Sequence, residues 1–154
     1  MLPYYTDYLE RLKVLLKHFR YAIRGLSPEQ LDWTPGPQMN SLCVLVVHTT
    51  GSARFWIGDV AGGKPSNRNR DAEFQARGLT EADLCQRMDN LYAFAESLLA
   101  TFTLDDLAAP RRDPNPDDGR TAGWALLHAL EHTGLHMGQA QITRQLLDGQ
   151  TEPD

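Results

Sequence analysis

Three of the five histidines in this chain fall on one line: His128, His132 and His136, at intervals of four. On an α-helix, residues at i and i+4 share a face about one turn apart. Two imidazoles placed so can grip one metal ion. A rise of about 1.5 Å per residue sets His128 and His136 roughly 12 Å apart along the axis, whereas a zinc–nitrogen bond is about 2.0–2.1 Å. One ion therefore takes His128 with His132, or His132 with His136. The spacing does not choose between the pairs, and His132 belongs to both. A third ligand must come from another helix. His48 is the candidate, because it directly follows the apolar run Leu42 to Val47, where an unpaired imidazole would be costly. Three histidine ligands leave a position open for water or substrate, as in catalytic zinc sites.

The simpler reading is that these histidines only hydrogen-bond across helices. The pair and a buried third histidine together favour a metal. Other metal classes fit less well, because the chain has neither Glu-x-x-His nor His-Glu-x-x-His, the marks of di-iron bundles and helical metalloproteases. Glu131 precedes His132 directly and points about 100° away from it on a helix. It reads as a solvated face residue. Together with His128, it is also the candidate for a catalytic base in a metal-dependent hydrolase. His18 stands among Lys17 and Arg20 and reads as a surface residue. Gly134 and Gly138 each cost a helix about 1 kcal/mol relative to alanine. They imply that another backbone packs closely there, or that room is left for a ligand.

The elements that must carry these residues are four long helices. The first runs from about Tyr4 to Arg24, with Leu9, Leu12, Leu16, Phe19 and Ile23 forming one stripe, and Gly25 stops it. Ser27, Pro28 and Gln30 form a capping box for a one-turn helix. The second long helix starts at Asn40 or Ser41 and runs to about Val60. It opens apolar almost all round, so it is central and buried. From Lys64 to Arg77 the chain reads as a solvated loop. Thr80 caps the third helix, whose stripe is Leu84, Met88, Leu91, Ala95, Leu98 and Phe102. A short turn at Leu104 to Ala108 and a proline-rich loop from Pro110 to Gly119 follow. The fourth helix runs from about Ala122 to Leu147 and ends at Gly149. Trp124, Leu127, Leu135, Ile142 and Leu146 set its buried side. This pattern is an all-α, four-helix-bundle domain spanning residues 1–154.

Composition narrows the function. The net charge of −5 and the lack of basic residues interleaved with aromatics set nucleic acid aside. No apolar run reaches 18 residues, which excludes a membrane span, and the N-terminus lacks a signal-peptide pattern. Cys43 and Cys85 are the only cysteines. They are far apart, in apolar helical stretches, and read as buried free thiols in a reducing cytoplasm.

His132, His136, Gly138 and Gln139 resemble the fourth-helix signature of the DinB/YfiT-like proteins, a histidine pair followed by a Gly-Gln stretch. Asn40 to His48 resembles that family's second-helix element, and Leu26 to Pro37 its first interhelical link. The resemblance implies an up-down-down-up bundle with a zinc or nickel ion on His48, His132 and His136, and so it selects the second pair. His128 is then a neighbour of the site. It also implies a small-molecule substrate, and activity as a low-molecular-weight-thiol S-transferase or isomerase. Metal-dependent hydrolysis, or a non-enzymatic metal-binding bundle, is the alternative. A homodimer is the expected assembly. Met137 stands where many relatives carry arginine, so no role of that arginine transfers.

Overall fold

The computed structural model describes residues 1–110 and 120–151. The expected loop between Pro110 and Gly119 lies, beyond Pro110, outside the described residues. Seven α-helical segments are described: α1 (Pro3–Ile23), α2 (Pro28–Leu31), α3 (Leu42–Arg54), α4 (Arg70–Glu73), α5 (Glu81–Leu99), α6 (Leu104–Ala108) and α7 (Ala122–Thr151). No strand occurs among these residues beyond an isolated bridge between Pro110 and Thr121.

Local chemistry sets the boundaries. Proline opens α1, where a missing N–H costs nothing. Gly25 follows it at φ +73°, a left-handed geometry that suits glycine. The Ser27–Gln30 capping box is present. Ser41 caps α3 by accepting from the Val44 amide, and Thr80 forms a second box with Asp83 at the start of α5. Every residue from Leu42 to Thr50 is buried, as the all-round apolar pattern predicts.

Four long elements make the bundle. α1 packs on α5 and α7, and α3 packs on the same two from the other side. Side-chain contacts fix the directions. The Tyr5 hydroxyl donates to the Thr103 carbonyl, and the Gly25 amide donates to Glu81 Oε2 at 2.8 Å, so α1 and α5 are antiparallel. Arg144, late in α7, donates to the carbonyls of Ala22 and Arg24, at the end of α1, so those two are parallel. His48 meets His136, while the later Trp56 meets the earlier Trp124, so α3 and α7 are antiparallel. The result is up-down-down-up.

Several boundaries and faces differ from expectation. The second long helix changes at Phe55 into a π-helical turn, Phe55–Ala61. Gly58 lies within it, where a Cβ would overlap the Arg54 guanidinium and crowd the Phe94 ring. The Lys64–Arg77 stretch is not wholly solvated. It contains α4, capped by Asn69, and buries Glu73. Helix α7 runs through Gly149 rather than ending there.

The expected buried side of α7 is also wrong. Leu127, Leu135, Ile142 and Leu146 are 46 to 64 % exposed, and Trp124 is half-buried. The face that turns inward carries Ala125, Leu126, Ala129, Thr133, Ala140, Thr143 and Leu147. Apolar residues occupy both faces of this helix, so hydrophobicity alone does not orient it. The small side chains face inward, toward α1 and α3. Gly134 and Gly138 receive no close backbone. Among the described residues, only a Leu15 methyl stands within ordinary contact of a Cβ at Gly134, and nothing lies within 4 Å of one at Gly138. Cys43 is buried, but Cys85 only partly so.

Candidate metal centre

Helix α3 carries His48 into the bundle at 5 % exposure. On α7, His132 and His136 face it on successive turns. Ring centroids are 5.1 Å apart for His48 and His132, 4.9 Å for His48 and His136, and 4.4 Å for His132 and His136. One nitrogen from each ring lies within 4.8 Å of the other two. The Nε2 atoms of His132 and His136 are 3.2 Å apart. Nitrogens on one tetrahedral ion with bonds of about 2.0–2.1 Å would stand about 3.3–3.4 Å apart.

The other ring nitrogens show which atoms are free. Gln139 Oε1 lies 2.8 Å from His136 Nδ1. A carbonyl oxygen only accepts, so Nδ1 donates and Nε2 keeps a lone pair. Glu73 Oε2 lies 3.0 Å from His48 Nδ1, and the same logic frees its Nε2. Carboxylate partners of this kind orient histidines that bind metals. Arg68 closes on Glu73 with two bonds of 2.7 Å, Nε to Oε1 and Nη2 to Oε2. His132 Nδ1 is buried and finds no hydrogen-bond partner among the described residues.

Electrostatics keeps two of the rings, His132 and His48, neutral. Burial, and then the charges that His136, His48, His128 and Arg68 would present, lower the pKa of His132 to about 3. Burial also lowers that of His48, against the opposing effect of the hydrogen bond that Glu73 accepts from it. Neutral imidazole is the form that binds metal. The donor set fits a divalent metal ion.

Residues 7–149 match the family model described as mycothiol-S-transferase. The chain belongs to the mycothiol-S-transferase family, a DinB-like family. A crystal structure of a conserved protein from Enterococcus faecalis has the same fold, with a TM-score of 0.82 at 17 % identity. The match covers 97 % of this chain and 99 % of that one. No curated protein sequence matches it.

Around the three histidines, this mycothiol-S-transferase family member builds an aromatic wall. His128 stacks on Trp124 at 5.0 Å and 8°, and meets the edge of Trp56 at 4.6 Å. Its ring centroid is 5.9 Å from that of His132, and it stays outside the cluster of three. Glu131 stands 3.5 Å from His128 Nδ1 with its side chain 69 % exposed. His18 lies on α1, where its ring meets Tyr21.

Phe74 tilts against His48 at 4.5 Å and lines an open cleft of about 520 Å³ with Asn40, Val44 and Arg77. A smaller cleft of about 180 Å³ is lined by Leu45, Gln139 and Thr143. Glu73, Arg68 and Trp56 are participants that sequence reasoning missed. The only local signal for Glu73 was a good helix cap, Asn69, inside a charge-rich stretch. Trp56 gave none, because a π turn shifts which residues share a face.

Proposed function

We propose that this protein is a metal-dependent transferase of a low-molecular-weight thiol, with a zinc or nickel ion held by Nε2 of His48, His132 and His136. The observation that carries the reading is the convergence of three imidazoles, two of them with Nδ1 already committed to Glu73 and Gln139. A divalent ion bound there would supply a positive charge that favours the thiolate form of a coordinating thiol near neutral pH.

The chain's own residues do the rest. Glu73 and Gln139 hold the rings, and Phe74 and the Trp56–Trp124–His128 wall keep the surroundings apolar. The 520 Å³ cleft lined by Phe74, which itself packs on His48, has room for a small molecule, although none of the three histidines lines it. The protein's own Cys43 does not serve as nucleophile. It is fully buried, and burial, with the nearby Asp32 carboxylate, pushes its thiol up to about 11. On this reading the reactive sulfur comes with a substrate, such as mycothiol.

Two cysteines without a disulfide suit a reducing cytoplasm, and no described helix is long and apolar enough to cross a membrane. The exposed Leu127, Leu135, Ile142 and Leu146 of α7 form an apolar face that a second copy would cover in a homodimer. Leu135→Glu should then sediment as a monomer; an unchanged mass would remove that face from consideration.

The test of the activity compares protein purified without chelator with a triple His48→Ala, His132→Ala, His136→Ala variant. Wild type should carry about one ion per chain, and transfer mycothiol to an electrophilic acceptor only when loaded. Equal metal content in both would overturn the site. Metal without thiol-dependent turnover would overturn the transferase.

A further inference from the structure

Glu73 is 7 % exposed, a costly place for a carboxylate unless it is paired and hydrogen-bonded. Arg68 supplies two charge-assisted bonds, and His48 Nδ1 a third contact. The geometry also needs a missing atom. Gly51 lies three residues after His48 on α3, and a Cβ there would overlap Glu73 Oε1 and stand 2.8 Å from the carboxyl carbon. A glycine inside a helix costs about 1 kcal/mol relative to alanine. Here the absence of a side chain opens the space that the carboxylate fills.

We infer that Gly51, Glu73 and Arg68 form a positioning unit that fixes the His48 ring, with Gly51 admitting the carboxylate, Arg68 clamping it, and Glu73 holding Nδ1–H so that Nε2 faces His132 and His136. This inference rests on the metal reading for its purpose, but not for its geometry. None of the three residues belongs to the cluster of three histidines. They act through His48, and are positioning residues rather than catalytic ones.

A zinc titration against a chromophoric chelator, on metal-free wild type, Gly51→Ala, Glu73→Ala and the double variant, tests it. Each single variant should bind zinc about 10–100-fold more weakly, the usual cost of losing an outer partner of a ligand. The double variant should bind no more weakly than Glu73→Ala, because Gly51 acts only through the carboxylate. Gly51→Ala should melt below wild type, because its Cβ displaces a buried, ion-paired carboxylate. In the Glu73→Ala background the same alanine should melt at or above that single variant, since it then has room and favours the helix. Nitrogen-15 correlation spectra of the metal-free protein give an independent readout. His48 should be protonated on Nδ1 in wild type and lose that preference in both single variants. Wild-type zinc affinity and an unchanged tautomer in Gly51→Ala would overturn the unit. Should Gly51→Ala not fold, isosteric Glu73→Gln decides, with weaker zinc binding expected and unchanged binding overturning the inference. Failure of wild type to bind zinc would sink the metal reading alone, because the tautomer spectra still decide the positioning.

Discussion

The Nε2 atoms of His132 and His136 face each other at 3.2 Å across one turn of α7. Gln139 holds the proton of His136 on Nδ1, so its Nε2 presents a lone pair. If His132 donates to it, His132 Nδ1 is a buried acceptor, and otherwise a buried donor, in either case without a partner among the described residues. If both Nε2 atoms present lone pairs, they need a shared cation.

The proposed site uses His132 with His136 and leaves His128 outside the cluster. His132→Ala and His136→Ala should each weaken zinc binding by at least about 100-fold, since each removes a bonded nitrogen. His128→Ala should leave it within a few-fold, because its ring is engaged by Trp124 and Trp56. Chelator competition on the three variants checks this. A loss at His128 equal to that at His136 would reverse the choice of pair.

Gln139→Leu should weaken zinc binding by about tenfold, at the low end for an outer partner. The side chain is on the exposed side of α7, so melting temperature should barely move. An affinity matching wild type would mean that His136 holds its orientation by packing alone.

Cys43 gives a pH dependence of known sign. Its thiol is pushed up to about 11 from 9.0, by burial first and the Asp32 carboxylate next. Between pH 9 and 11 the folded state keeps a proton that the unfolded state has lost. Stability therefore falls as pH rises through that window, and the thiol contributes nothing to pH dependence below it. Cys43→Ala should show a shallower alkaline decline in denaturant midpoints. At pH 8, iodoacetamide should label Cys43 only at the rate of unfolding. Rapid labelling of the folded protein would contradict a buried, protonated thiol.

What was legible in the sequence was whatever depends on neighbours along the chain. The α1 stripe, the Ser27 and Thr80 boxes and the Ser41 cap are local in cause. The histidine line on α7 is likewise a matter of spacing. What was hidden depends on partners far away. Helix α7 is apolar on both faces, and only α1 and α3 decide that Ala125, Ala129 and Ala140 turn inward while Leu135 does not. Glu73 sits among charges that look solvated, and its role needs His48, 25 residues earlier, and the vacant side-chain position at Gly51.

Tyr5 and Tyr8 present a matched contrast on one face of α1. Both are buried. The Tyr5 hydroxyl donates to the Thr103 carbonyl, while the Tyr8 hydroxyl finds no partner among the described residues. Burial raises the Tyr8 pKa accordingly. A buried hydroxyl without a partner keeps its desolvation cost, whereas a paired one contributes about 1 kcal/mol net. Tyr8→Phe should therefore leave stability unchanged or raise it by about 1 kcal/mol, a gain of about 2–4 °C for a chain of this size. Tyr5→Phe should lower it by a similar amount, because the Thr103 carbonyl then loses its donor. Chemical denaturation of the two variants beside wild type measures both. Destabilisation by Tyr8→Phe as large as that by Tyr5→Phe would mean that the Tyr8 hydroxyl is hydrogen-bonded in solution.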